Sequence, residues 1–123
     1  MDNEIYAFLI ANLVKPDVIT ANKTYGDYSS WLVYQKVNNS REYEHSGNAN
    51  LATVSYQFDA YAPKKGKAIE IIDELIETLE DYTGMMGTTK VQGAFIVSEF
   101  SAYEDDTNLY REEIEFDINY YEG

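Results

Sequence analysis

Carboxylates are the chemically active groups this sequence holds in quantity: 22 Asp and Glu against nine Lys and Arg, with one histidine and no cysteine. The densest run is EDDTNLYREEIEFDINYY, residues 104–121, which carries seven of these acids and a single arginine. With period two, Tyr110, Ile114, Phe116, Ile118 and Tyr120 share one face, interrupted only by Glu112, while Arg111, Glu113, Glu115, Asp117 and Asn119 take the other. Paired carboxylates do acid/base chemistry when their surroundings push their pKa values apart. Only Glu112 has an unusual setting. It is either a buried acid with a raised pKa or an edge position where the sheet twists away, and we read it as the latter.

Other reactive groups are sparse. His45 lies in a polar stretch with no cysteine to activate, and reads as a solvated side chain rather than a base. Without cysteine there is neither a disulfide framework nor a thiolate metal site. Glu104-Asp105-Asp106 lacks the D-x-D-x-D-G spacing of a calcium loop and reads as a solvated turn. The glycines of GMMG, residues 84–87, are not followed by the Lys and Ser/Thr of a phosphate loop. No catalytic, metal or cofactor site is expected.

The formal net charge is −13, and its distribution is uneven. Residues 1–67 hold seven acids and seven bases, whereas residues 68–123 hold 15 acids against Lys90 and Arg111. A basic footprint for nucleic acid is thereby excluded. Such a surface repels a polyanion, imitates one, or merely keeps the protein soluble.

At 123 residues the chain has the size of one domain, and 45% hydrophobic content is enough for a core. No apolar run reaches the roughly 18 residues of a membrane span. Residues 5–14 follow Met-Asp-Asn-Glu rather than a basic segment, so no signal peptide is expected and the sequons at Asn22 and Asn38 read as coincidental. A soluble protein made in the cytosol is the default expectation.

Residues 3–14 predict a short helix with Ile5, Phe8, Leu9 and Leu13 on one face and Asp2 or Asn3 as cap, ended by Lys15-Pro16. A polar connector (17–30) leads to a strand over 31–37. Residues 38–50 show no periodicity and predict a long polar loop. Alternation resumes over 51–61, with Val54, Tyr56, Phe58 and Ala60 on one side, so the two strands should pair across that loop. The strongest helical signal follows. Ala68, Ile71, Ile72, Leu75, Ile76, Leu79 and Tyr82 form a stripe opposite Glu70, Asp73, Glu74, Glu77, Glu80 and Asp81, between Pro63 and Gly84. Lys64, Lys65 and Lys67 crowd the end where the helix dipole disfavours cations, and nothing basic offsets the acidic stripe. That is placement against local stability. Strands over 90–104, with Gly93 as a possible bulge, and 108–121 close the chain as a long hairpin. The expected architecture is α+β: a mainly antiparallel sheet of about four strands with two helices, in the order α-β-β-α-β-β.

Tyrosine suits surfaces that are apolar yet wet, and Tyr25, Tyr28, Tyr43, Tyr61, Tyr103 and Tyr121 fall at predicted loops and strand ends. Met85 and Met86, between two glycines, are either an adaptable contact or a lid on the core's end.

The aromatic WLVYQKV strand, the polar loop, the alternating ATVSYQFDAYA strand and the AIEIIDELIETLEDY helix together resemble the tail-completion or tail-terminator proteins of long-tailed bacteriophages. The resemblance spans about residues 1–121, with the leading helix and closing hairpin. It implies a structural protein without catalytic residue or cofactor. Such proteins form a ring, usually a hexamer, on the last tail-tube subunits, stop tube growth and meet the head connector. Located in the virion, and in host cytoplasm during assembly, its partners would be itself, the major tail-tube protein and a head-completion or connector protein. No membrane is involved, and DNA would pass through without specific binding. On that reading Glu113, Glu115 and Asp117 are candidate lumen-facing acids, with the 70–81 stripe as the alternative. Residues 38–50, including Arg41, Tyr43 and His45, are a candidate docking loop. Met85 and Met86 are a candidate interface. The competing class is a small acidic DNA mimic that occupies the DNA site of a host enzyme, with carboxylates spaced like phosphates on one face.

Overall fold

The computed structural model describes residues 2–21, 30–43, 50–104 and 108–121, with the backbone alone at 40–43 and 50. Its elements are α1 (Asp2–Asn12), β1 (Val18–Ala21), β2 (Trp31–Tyr43), β3 (Asn50–Ala62), α2 (Lys65–Leu79), β4 (Gly84–Met86), β5 (Thr89–Glu104) and β6 (Leu109–Tyr121). They build one sheet in the order β1-β2-β3-β6-β5-β4. Only β1–β2 is parallel; the other pairings are antiparallel.

The α+β class, the two helices and the mainly antiparallel sheet agree with expectation. The strand count does not: six strands replace about four, and the order is α-β-β-β-α-β-β-β. The additional strands are β1, inside the polar connector, and β4, inside GMMG. With four and three residues, neither is long enough to express a period.

The expected 38–50 loop is also largely strand. β2 continues to Tyr43 and pairs with β3 from Asn50, with Asn39 opposite Val54 and Tyr43 opposite Asn50. Backbone ladders need no apolar side chains, and the Asn39 side chain adds a bond of its own to the Thr53 carbonyl, 3.2 Å. Arg41 and Tyr43 are therefore strand positions; His45, Tyr25 and Tyr28 lie outside the described residues. The expected bulge is present, the β5–β6 register shifting between Val91 and Gly93 and again between Ile96 and Ser98.

Alternation places Val54, Tyr56, Phe58 and Ala60 of β3, and Ile114, Phe116, Ile118 and Tyr120 of β6, in the core. Ile71, Leu75 and Leu79 of α2 and Ile5 and Leu9 of α1 pack onto that same face of the sheet, and Ala68 of α2 is buried as well. α2 thus buries its stripe against the two central strands, β3 and β6, while α1 lies beside the short outer strands β1 and β4 over the same core. α2 is shorter at its C-terminal end than the stripe suggested. Glu80 turns extended, with ψ 130°, and Asp81 is left-handed, with φ 60°, its N–H donating to the Ala94 carbonyl at 2.8 Å. Glu80 and Asp81 thus fall off the helical stripe, and Tyr82 lies beyond the helix. Lys65 and Lys67 occupy its first turn, with no acid beside them there. Asp2 is within α1 rather than before it; its carboxylate accepts from the Tyr56 hydroxyl and pairs with Lys36 at 3.6 Å.

Candidate functional site

The sheet's other face carries no helix among the described residues. Side chains of β3 and β6 that point away from the core stand in register there: Asp59 beside Glu113, Gln57 beside Glu115, Ser55 beside Asp117, Thr53 beside Asn119. β5 sets Phe100 beside Glu113, Ser98 beside Glu115 and Phe95 beside Asp117. All three expected acids of this strand thus lie in one row at the middle of the uncovered face, and all are half-buried.

A row of carboxylates at alternate positions is less costly where neighbours donate to it. β3 supplies those donors. Ser55 Oγ donates to Asp117 Oδ1 at 2.5 Å, and Thr53 Oγ1 to Asn119 Oδ1 at 2.7 Å. Gln57 Nε2 bridges Asp59 Oδ2 and Glu113 Oε1, at 3.1 Å each. The face is an acidic strip with a polar border along β3 and an apolar one along β5, where Phe95 and Phe100 are about half exposed.

One end of the strip is different. Trp31 stacks on Tyr61, with centroids 5.5 Å apart and an interplanar angle of 17°, and with Val33 forms a small second core. Tyr61 is therefore buried structure rather than a surface contact. Arg111 lies opposite Tyr61, is hydrogen-bonded to it, and pairs with Glu104 at 3.8 Å. Asp59 is 6% exposed, and burial pushes its carboxyl up to about 6. Gln57 and Arg111 oppose that rise, and the Glu113 charge adds to it. Trp31 Nε1, Asp59 Oδ1 and Arg111 Nε are buried without hydrogen-bond partners among the described residues.

The buried acid is thus Asp59, not Glu112. Glu112 is half-buried and accepts from Ser101 Oγ at 2.8 Å, but it is not an edge position: β6 is an inner strand, and Glu112 pairs with Ala60 of β3 on one side and Ser101 of β5 on the other. Asp59 sits between Phe58 and Ala60 on the polar side of an alternating strand, and only its proximity to the Trp31 cluster, a tertiary fact, separates it from Gln57. Of the alternative stripe, Glu70, Asp73 and Glu77 are exposed on α2. Glu74 instead turns to α1: its Oε1 accepts from Val14 N at 3.0 Å and from Lys15 N at 2.9 Å. It fastens the end of one helix to the side of the other.

Met85 and Met86 divide. Met85 is 57% exposed on β4, whereas Met86 is 1% exposed in the core, so only Met85 remains a surface candidate. Tyr103 and Tyr121 are exposed. Among the described residues no three His, Cys, Asp or Glu side chains are grouped as metal ligands. Among those residues no helix is long and apolar enough to cross a membrane.

A family model described as Tail completion protein gp17 matches residues 3–121. No curated protein matches the sequence. Solved structures do: 24 chains match the fold. One, from the virion of a native gene transfer agent particle, superposes with a TM-score of 0.72 over 96% of this chain and 92% of that one, at 10% identity. At that identity the likeness is one of fold.

Proposed function

This chain belongs to the tail completion protein gp17 family, a structural and not an enzymatic family, and on that premise we propose that it closes the head-proximal end of a tail tube as a ring. In this reading the ring, built from several copies and most simply six, ends tube growth and offers its far side to the head connector. Its partners are other copies of itself, the major tail-tube protein and a head-completion protein. The acidic face of the sheet lines the channel.

The observation that carries this reading is that no described helix or strand covers the acidic row, while both helices pack on the opposite side. A duplex carries one negative charge per about 1.7 Å of axis. Basic walls would hold it by releasing counterions; acidic walls do not, and the DNA slides. Hydrogen bonds from Ser55 and Gln57 keep the Asp117 and Glu113 carboxylates in fixed positions on the wall. A DNA mimic is less favoured, because the helical stripe it needs is cut short at Leu79 and Glu74 is committed to α1.

The test is to add the purified protein to tail tubes and image their ends. A cap at one end only, in register with the tube, is the expected result. Tubes that keep growing uncapped would remove this function.

A further inference from the structure

Three buried polar atoms gather at the Trp31 end of the sheet without a hydrogen bond among the described residues: Trp31 Nε1, Asp59 Oδ1 and Arg111 Nε. Buried donors and acceptors are almost always paired, with protein or with ordered water. Three orphans in one place call for a common cause.

Their side chains stand on three adjacent strands, β2, β3 and β6, on the face away from the helices. Trp31, Tyr61 and Arg111 form one cross-strand row, and Val33, Asp59 and Glu113 form the next. Asp59 is therefore the diagonal neighbour of Trp31 on one side and of Arg111 on the other. Diagonal positions lie about 7–8 Å apart, within reach of long side chains. Gln57 lies along β3 on the far side of Asp59 from Tyr61 and takes Oδ2. That leaves Oδ1 for the Trp31–Arg111 row.

The two long side chains are already held by other partners. Trp31 lies on the Tyr61 ring, with centroids 5.5 Å apart. Arg111 is hydrogen-bonded to Tyr61, and its Nη1 meets Glu104 at 3.8 Å. Burial raises the Asp59 pKa and the Arg111 charge opposes that rise, so the two groups are close enough to feel each other, yet Arg111 gives its ion pair to Glu104.

We propose that one buried water molecule sits among these three side chains, accepting from Trp31 Nε1 and Arg111 Nε and donating to Asp59 Oδ1. The atoms select the ligand. Two N–H donors and one carboxylate oxygen match the two lone pairs and one O–H of a water, and about three bonds is usual for a buried one. A metal cation would face two N–H groups, one of them on a guanidinium. An anion would face Asp59 with Glu113 beside it. An ammonium group donates but cannot accept. Trp31, Val33, Asp59 and Tyr61 are all buried, so a larger hydroxyl compound would have to part the cluster to enter. The water ties β2 to β6 across β3, at the end of the acidic strip, where no backbone ladder joins those two strands.

The chain has one tryptophan, so its indole N–H gives a single resonance in the isotope-labelled full-length protein. Magnetisation should pass from water to that proton, with nuclear and rotating-frame Overhauser effects of opposite sign, the mark of a water that stays longer than the protein takes to tumble. Tyr61→Phe should keep the effect, since no hydroxyl proton then relays it. Asp59→Leu, which puts methyl groups in place of the acceptor, should abolish it. No transfer in the unmodified protein, loss of the transfer in Tyr61→Phe, or an unchanged transfer in folded Asp59→Leu would each overturn the water. Should Asp59→Leu not fold, a crystal structure of the unmodified protein decides. One solvent peak about 2.7–3.2 Å from all three atoms is expected, and direct bonds from these atoms to other side chains would overturn it.

Discussion

Glu74 of α2 holds Val14 at the end of α1: both its carboxylate oxygens lie within hydrogen-bond reach of Val14 N, at 3.0 and 3.1 Å, and Oε1 also takes Lys15 N. These amides follow the last helical turn and have no backbone partner given to them by α1. A charge-assisted bond of this kind is stronger than a neutral one. What looks in the sequence like one more acid of a solvated stripe is a clamp between the two helices.

Glu74→Ala should therefore destabilise by about 1–2 kcal/mol. Glu77→Ala, one turn away on the exposed face, should stay within about 0.5 kcal/mol of the parent. Urea unfolding of the two variants beside the parent decides the matter. Equal midpoints for Glu74→Ala and Glu77→Ala would mean that the clamp contributes nothing.

Asp59 gives the protein a pH signature. Its folded pKa of about 6 stands above the ordinary aspartate value because burial penalises the charge. Folding thus favours the protonated form. No penalty exists below about pH 4, it grows between about 4 and 6, and it is complete above. Asp59→Asn should remove this component, raising stability at pH 8 by on the order of 2 kcal/mol and flattening the profile between pH 4 and 6. Thermal melts of both proteins across pH 4–8 measure it. A parent whose stability does not fall over that window would show that Asp59 is not held protonated.

How far such features can be read in advance depends on whether they are local. The stripe of Ile71, Leu75 and Leu79 and the alternation of Ile114, Phe116 and Ile118 are visible because burial repeats with the element's own period. β1 and β4 are too short to repeat anything. Residues 38–43 pair through their backbone, which leaves no mark on side-chain type. Asp59 and Gln57 occupy equivalent alternating positions, and only the Trp31–Tyr61 stack brings desolvation to one of them. Glu74 is singled out by the path of a chain segment 60 residues away.

Tyr56 links the core to the first turn of α1. Its ring is buried among Tyr34 and Phe58, its hydroxyl donates to Asp2, and burial, with that carboxylate close by, pushes its pKa up. Tyr56→Phe keeps the packing and removes one bond, at a cost of about 1 kcal/mol. In a double-mutant cycle with Asp2→Asn, the coupling should be about 0.5–1.5 kcal/mol. Additive losses would mean that the two groups stabilise the fold separately and that the hydroxyl bond carries no energy of its own.

The acidic row can be altered without disturbing the core, since Glu113, Glu115 and Asp117 are half-buried on the face opposite the helices. Glu115 is the cleanest position: Gln57 and Ser98 flank it, and neither Gln57 bond goes to it. Glu115→Gln should leave folding and ring assembly intact. Glu115→Lys should do so too, but it places one cation per copy on the proposed channel wall. Attraction to passing phosphates is screened by salt. DNA release from particles carrying Glu115→Lys should therefore be slower than from the parent at low salt and recover as salt rises, with Glu115→Gln close to the parent throughout. Release kinetics at a series of salt concentrations, on particles shown to be fully joined, provide the measurement. If Glu115→Lys particles release DNA at the parent rate at every salt concentration, the row does not face the channel.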